Sequence, residues 1–530
     1  MEAGRTHSKF GVSYHISEAL MRNSSLSILL VFFCLPISLF AQSDVWLSVE
    51  SQNGPELEMG NRPFGSWPEI IGSVDNHLLI MIVEATHFFE PKRKIIKRSL
   101  STGEELFRAE IETEWFRGRK IIYEDFLVSE GDVHLIYRTE RVRNDSLYLI
   151  SVRVDSSGTI HPPRVLLASY LESKWGNDNI ELAWTDDKSS LSILAVTKDW
   201  EFGKTIFTRR VFNSRLEPVE TVAYLINFEF NKISTSSSLF TFNNHYVLVN
   251  SYGEDTASYI VEVGSNRARL REVRAKYDNS FNANLFESDG QIYLCHLVFE
   301  DNRSNSVTRY CASTVDMDFG QTWVTDFNIE DSSVGEYLPY KYGYCSIKSI
   351  LDHPDGGYIV TLHHNKKAEY YTYDRDYLVM SIGPTGSIHW VNYIPANLRY
   401  ANHDGGQNFS SFSSSGDYIT FTSTEPGQAS MWSQGDLDSR AYGNEVIVAT
   451  NISDDGEIEF RDAYVTEEAP IEPFLKNLWP IVSDGERHEF YSFQETSRRG
   501  FSLVKLTIYG LPSDYQVPRF IRHRYGFQYR

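Results

Sequence analysis

Disulfides cannot hold this chain together. Among 530 residues there are four cysteines, and one of them, Cys34, lies in an apolar N-terminal stretch, leaving Cys295, Cys311 and Cys345, an odd number. Stability has to come from buried apolar surface. No Gly-rich phosphate loop in a strand-to-helix setting, no zinc-spaced cysteine set and no nucleophile elbow occurs, which removes the common cofactor-enzyme chemistries. Long stretches of capped helical periodicity are missing too, so a helical fold is excluded. Cations are scarce: 50 Lys and Arg face 71 Asp and Glu, a formal net charge of −21. That balance disfavours nucleic acid and anionic lipid and suits a soluble surface or a cationic partner.

The N-terminus carries a processing signal. The apolar stretch Leu26–Phe40 follows Arg22 and precedes Ala41-Gln42-Ser43, the order of a secretory signal peptide with a small residue at the cleavage site. It is short and interrupted by Pro36, unlike a membrane span. Cys34 is followed by Leu35-Pro36 and lacks the small residues of a lipoprotein signal. Met21 heads a normal signal by itself, so residues 1–20 read as an upstream start-site artefact and residues 1–41 as the signal. The expected product is one domain over 42–530, secreted or in the cell envelope, extracellular or periplasmic, with no membrane insertion after cleavage.

What fills that domain is a repeat. Short runs of Val, Ile, Tyr and Phe alternate with turn residues, and they group into units of two hairpins. A polar turn followed by an apolar second strand recurs at 74–83, 129–137, 186–196, 242–250, 288–298, 354–364, 414–423 and 483–493. A third strand with a turn recurs between them at 94–107, 147–160, 207–219, 259–270, 308–323, 377–390, 445–460 and 501–515. Two interleaved series leave no room for another domain and predict an all-β fold, a single β-propeller of eight four-stranded blades, or seven if one unit is irregular. Ring closure needs a strand from one terminus, and Trp46-Leu47-Ser48-Val49 is the candidate, pairing with the blade of residues 478–520.

The turn Asp316-Met317-Asp318-Phe319-Gly320-Gln321-Thr322-Trp323 resembles the Asp-box of sialidase-like, or BNR-repeat, propellers, with Asp316 in place of the usual Ser or Thr. The resemblance implies a structural turn in which the Asp318 carboxylate ties down backbone amides, Gly320 takes a special backbone conformation and Trp323 packs between sheets. Thr102-Gly103-Glu104-Glu105-Leu106-Phe107 and Thr385-Gly386-Ser387-Ile388-His389-Trp390 resemble the docking turns of quinoprotein-like propellers. The adjacent-cysteine pair of many quinoprotein dehydrogenases is missing. The sialidase resemblance also implies an arginine clamp opened by an Arg-Ile-Pro-like motif, but Asn61-Arg62-Pro63-Phe64 lacks the apolar residue, and Arg117, Arg399 and Arg440 are not assigned to a clamp.

In a propeller the loops entering each first strand share one face with those between second and third strands, and ligands bind there. Each unit brings an aromatic to those loops: Trp67, Trp115, Trp175, Phe228, Tyr277, Tyr340, Tyr400 and Trp479. Such rings either plug gaps between blades or stack on sugars and peptides. The longest insertions, 326–343, 363–376, 393–410, 424–443 and 465–478, fall in units six to eight. They offer a ligand-binding set of Tyr337, Tyr340, Asp374, Asp376, Arg399, Tyr400, Asp404, Trp432, Asp436, Asp438 and Arg440. Asp374/Asp376 and Asp436/Asp438 place carboxylates two apart and could chelate calcium, though neither lies in an EF-hand loop; otherwise no cofactor and no metal is expected. His363-His364 are strand neighbours that point apart, which defeats shared chelation. Cys295 and Cys311 sit symmetrically about Arg303, either facing each other or as buried thiols.

The sequence therefore predicts a secreted or cell-surface propeller that binds a glycan or protein ligand without catalysis. The alternative is a propeller glycoside hydrolase, sialidase-like, or a lyase using carboxylates of units six to eight.

Overall fold

The computed structural model describes residues 48–58, 67–84, 92–112, 115–140, 145–171, 179–185, 189–199, 204–226, 233–251, 257–277, 280–299, 307–329, 332, 344–367, 371–401, 409–414, 417–424, 428–435, 446–465, 479–484, 487–497 and 500–509. The chain divides into Met1–Leu47 and Ser48–Arg530, and every described residue belongs to the second unit. The signal peptide and its cleavage site lie outside the described residues.

The second unit is an eight-bladed β-propeller. Its strands form eight antiparallel sheets, seven of four strands and one of five, and the strands run in chain order from the innermost outward except that the N-terminal strand closes the eighth sheet. The blades span 67–111, 119–171, 179–226, 233–273, 280–328, 344–401, 409–465 and 479–509. Neighbouring sheets touch in succession, and the eighth meets the first, so the ring closes. Both predicted hairpin series fall on these blades. The eighth blade has three strands of its own, and Ser48–Glu58 supplies the fourth by pairing with Gly500–Tyr509, from Ser48 opposite Tyr509 to Glu58 opposite Gly500. Ser48 and Val49 of the expected closing segment lie in that strand; Trp46 and Leu47 lie outside the described residues.

Local chemistry explains why these segments fold so. The turns between first and second strands use Asp75-Asn76, Glu130-Gly131, Phe242-Asn243 and Asp289-Gly290, all at positive φ, the backbone that joins strands of right-handed twist in a two-residue loop. Apolar positions then face the neighbouring blades: Ile71, Met81 and Ile95 of blade one pack with Ile121, Leu135 and Val152 of blade two. Six of the eight innermost strands carry an irregularity at a comparable place, among them Ile70/Gly72, Tyr123/Asp125, Thr235/Ser237 and Ile347/Ser349. A bulge there bends the strand and increases its twist, which suits the crowded centre of a ring.

The free edges of the innermost strands are knit together by side chains, which accounts for the Ser/Thr-rich sequence of blade four. Ser237 Oγ accepts from the Leu285 amide at 2.9 Å, and Ser238 Oγ donates to the Leu182 carbonyl at 3.3 Å. Thr235 Oγ1 donates to Glu181, and Trp184 Nε1 to Asp125 Oδ2 at 2.8 Å. Buried edges left without such partners would be costly.

Cys295 lies opposite Ala312, whereas Cys311 lies opposite His296. The one-residue offset sends the two thiols to opposite faces of the sheet, and all three described cysteines are buried and outside any disulfide. Burial pushes the thiols of Cys295, Cys311 and Cys345 up to about 12, so they are inert fillers of the core.

The docking turns hold blade to blade. The Phe107 ring occupies the place where a Cβ on Gly158 of the next blade would sit, and Trp390 does the same at Gly456, both glycines at positive φ. In the Asp-box turn the anchor is Asp316. Its Oδ1 accepts from the amides of Asp318 at 2.7 Å and Phe319 at 2.9 Å. Asp318, expected to do this, turns outward to Arg269 Nη1 of blade four at 2.7 Å. Arg271 Nη2 donates to the carbonyls of Met317 and Asp318, and Gln321 exchanges hydrogen bonds with the Arg274 backbone. Gly320 sits at φ 111°. Thr322 is exposed, and Trp323, half-buried, meets His296 of its own sheet edge to face. The box is a clamp between blades four and five.

Candidate functional site

The face carrying the loops that enter the first strands, here the upper face, is where the sequence reading expects the site. In blade six the described parts of two expected loop insertions are strand. Tyr358–Lys367, Tyr371–Ile382 and Ile388–Ala401 extend as a three-stranded ribbon, with Thr372 opposite Tyr400, Tyr373 opposite Arg399, Asp374 opposite Leu398 and Asp376 opposite Pro395. The register breaks between Asp374 and Asp376. The polar composition of 363–376 and 393–401 hid these strands from a reading of apolar alternation. His363 at its base is buried and stacks on Tyr377, centroids 4.8 Å apart.

Of the other predicted ligand residues, Tyr337, Tyr340, Asp404, Asp436, Asp438 and Arg440 lie outside the described residues. Trp432 is placed elsewhere than expected: a short helix, Gln428–Ser433, folds its indole into the core, 2% exposed and edge to face with Phe460 at 5.5 Å. No face of that indole is left for a ligand.

Blade two contributes a feature with no counterpart in the other blades among the described residues. The two-residue strand Trp115–Phe116 pairs back on Arg119–Lys120 across an Arg117-Gly118 turn with φ of 51° and 74°. The second strand of the blade occupies one edge of the innermost strand, so this hairpin occupies the other, which faces the channel. Trp115 is 62% exposed. Arg117 is pinned by donating to Tyr148 Oη at 3.0 Å and lies 4.8 Å from that ring's centroid. Phe116 meets Tyr148 edge to face. That hydrogen bond, with the charges of Arg117 and Arg119, holds the Tyr148 phenol below its ordinary range. Tyr148 escapes sequence reasoning because nothing local marks it as a neighbour of residue 117.

A third polar group joins blades four and five. Asp326 takes Lys276 Nζ at 2.7 Å, Tyr277 Oη at 2.8 Å and Arg309 Nη1 at 3.0 Å. Burial pushes its carboxyl up, but these donors prevail and hold it at about 2. Cys311 and His296 continue the row across the sheet. The thiol lies between imidazole and carboxylate, the wrong order for an activated nucleophile. This group is an inter-blade clasp.

Two acid clusters bear on catalysis. On the upper face Asp326 is held ionised by its three donors, and Glu124 is paired with Arg138 Nε at 2.8 Å. On the opposite face His353, Asp355 and Asp454 gather within 4.8 Å, the only metal-like group among the described residues. There His353 Nδ1 accepts from the Asp355 amide at 3.3 Å and Nε2 donates to Asp454 Oδ1 at 3.0 Å, which makes the imidazole a staple between the turns of blades six and seven. Asp417 ties down the Asp454 amide at 3.1 Å beside it, and burial raises its carboxyl.

No family model matches the chain, and no curated protein matches it in sequence. Solved structures do. The WD40 domain of SCAP from fission yeast aligns at 9% identity and a TM-score of 0.36, covering 87% of this chain and 98% of that one. The α-L-arabinanase of Penicillium chrysogenum, solved with arabinobiose, aligns at 10% identity and a TM-score of 0.31, covering 65% and 98%. Among the described residues no helix is long and apolar enough to cross a membrane.

Proposed function

We propose that the protein is an exported, non-catalytic β-propeller that binds a glycan or protein ligand on its upper face, around the ribbon of blade six. The signal-like segment 1–41 supports export to the cell surface or envelope. The Asp-box likeness to BNR-repeat propellers fits this reading as a structural turn rather than a catalytic one. The observation that carries it is the ribbon, in which strands bearing Asp374, Asp376, Arg399 and Tyr400 run side by side with Tyr373 opposite Arg399 and Thr372 opposite Tyr400. Acidic, basic and aromatic residues at neighbouring register positions suit recognition of hydroxyls and charges. The ion-paired state of Asp326 and Glu124 favours binding over general-acid chemistry.

The test combines a glycan array with a hydrolysis screen on the full mature chain. Binding without turnover, weakened about tenfold by Tyr400→Ala and insensitive to EDTA, is the expected result. Turnover abolished by Asp374→Asn or Asp376→Asn would replace this reading with the glycoside hydrolase or lyase, and loss of binding in EDTA would install calcium in the site.

A further inference from the structure

The outermost strand of blade three, Pro218–Ile226, ends its sheet, so one row of its backbone amides and carbonyls has no strand beside it among the described residues. Its side chains alternate along the whole strand. Glu220, Val222 and Tyr224 turn inward: Glu220 pairs with Arg209, Val222 packs on the cluster shared with blade four, and Tyr224 Oη donates to the Ser265 carbonyl at 2.8 Å. Val219, Thr221, Ala223 and Leu225 turn outward and are exposed, Val219 by 67% and Leu225 by 53%. None of these four is charged. The other outermost strands expose charge, among them Glu105 and Arg108 in blade one, Glu272 in blade four, and Glu459 and Arg461 in blade seven. Charges on an edge strand keep it from pairing with another chain, and an apolar edge without them is a template for one. Arg210, opposite Thr221 on the neighbouring strand, donates to Thr221 Oγ1 at 3.3 Å and to the Leu166 carbonyl of blade two, which turns its charge away from the free edge.

We propose that this strand pairs with the same strand of a second copy of the chain, antiparallel and about a two-fold axis at Val222. The strand is its own complement. Val222 is the midpoint of Pro218–Ile226, so two copies paired there overlap along the full strand, about 30 Å. That register sets Val219 opposite Leu225 and Thr221 opposite Ala223 on the outward face, and it sets Glu220 opposite Tyr224 rather than another Glu220. A peptide from a different protein would meet the same free backbone, but it would not call for this mirror pattern. Charge favours the same partner. With a net charge of −21 two copies repel wherever charged surfaces meet, and salt screens charges farther apart than about 8 Å, so contact is least opposed along an uncharged edge. Pairing over one strand is a small interface, which puts the dimer in the micromolar range rather than among obligate ones. The strand runs from the lower face to the upper, so antiparallel pairing turns the two upper faces in opposite directions. The dimer goes beyond the ligand-binding reading and does not rest on it.

The experiment is sedimentation velocity on the full mature chain from about 1 µM to about 300 µM. Ala223→Lys and Leu225→Lys are compared with the native chain and with Leu106→Lys, an exposed apolar position on the outermost strand of blade one. Thermal melts verify that each variant folds. The native chain and Leu106→Lys should be dimeric at the upper concentrations, while Ala223→Lys and Leu225→Lys should weaken association about tenfold or more, because each brings two lysines to the paired edge. A second measurement reads the register. Thr221 of one copy lies against Ala223 of the other, so the double variant Thr221→Cys, Ala223→Cys should form an interchain disulfide on mild oxidation, whereas the native chain, whose Cys295, Cys311 and Cys345 are buried, should not. A native chain that stays monomeric to about 300 µM overturns the proposal. Association untouched by both lysines overturns it too, as does association weakened equally by Leu106→Lys, since any added charge would then suffice. A dimer that the two lysines disrupt but the paired cysteines fail to cross-link overturns the antiparallel pairing about Val222.

Discussion

Trp390 and Gly456 share one position at the junction of blades six and seven. The indole Nε1 donates to the Asp454 carbonyl at 2.9 Å, and a Cβ built on Gly456 would fall 2.6 Å from Trp390 Cβ and Cγ. Asn392 Nδ2 adds a bond to the Gly456 carbonyl at 2.9 Å.

The contact predicts an asymmetry between glycines. Gly456→Ala adds a methyl where the ring lies and forces a side chain into φ of 88°, and should cost about 3 kcal/mol. Gly290 also has positive φ, 73°, but nothing lies within 4 Å of its would-be Cβ, so Gly290→Ala should cost only about 1 kcal/mol. Urea denaturation midpoints of the two variants measure the difference, and equal losses would mean that the Trp390 docking contributes nothing.

The Asp-box predicts a second asymmetry. Asp316→Ala removes the acceptor of two turn amides and should lower the melting temperature, as loss of a cap does. Asp318→Ala removes one exposed ion pair to Arg269 and should cost less, about 0.5 kcal/mol. The reverse order in thermal melts would return the anchoring role to Asp318.

These two cases mark what the sequence reveals. Hairpin turns are legible because their chemistry is local: Asp75-Asn76 or Asp289-Gly290 announces a two-residue loop without help from the rest of the chain. Eight repetitions then leave few architectures. Which of two aspartates turns inward is not local, because it depends on Arg269 and Arg271 arriving from blade four. The Trp115–Phe116 strand is too short to show a period, and the polar blade-six ribbon shows no apolar one. The loop-bearing face of the fold was legible in the sequence; the partner of each residue on it was not.

Buried histidines predict how stability depends on pH. In the unfolded chain each titrates near 6.5, whereas burial holds folded His134 and His296 at about 4 and His245 at about 3. Below about 6.5 the unfolded chain takes up protons that the folded chain refuses, so stability is full above that pH and falls as the pH drops toward about 4. The loss between pH 7 and pH 5 should be about 2 kcal/mol per histidine. His245→Gln, which keeps a polar contact for Ser192 Oγ, should remove about a third of that slope. A denaturation midpoint identical at both pH values would show that these imidazoles take up protons in the folded chain.

Trp432 and Tyr400, grouped by sequence as ligand aromatics, should part company on mutation. Trp432 lies in the apolar cluster shared by blades six and seven, with Tyr377, Val448 and Phe460, because the helix Gln428–Ser433 turns it inward. Trp432→Ala leaves a cavity of indole size and should cost about 4 kcal/mol, while the folded fraction keeps its native ligand affinity. Tyr400 pairs with Thr372 in the ribbon where the ligand is proposed to bind, so Tyr400→Ala should leave the melting temperature within about 2 °C and act on affinity. Calorimetric melts paired with ligand titration separate the two. A Trp432→Ala protein of native stability that fails to bind would mean that the indole meets the ligand, which its 2% exposure forbids unless the helix moves.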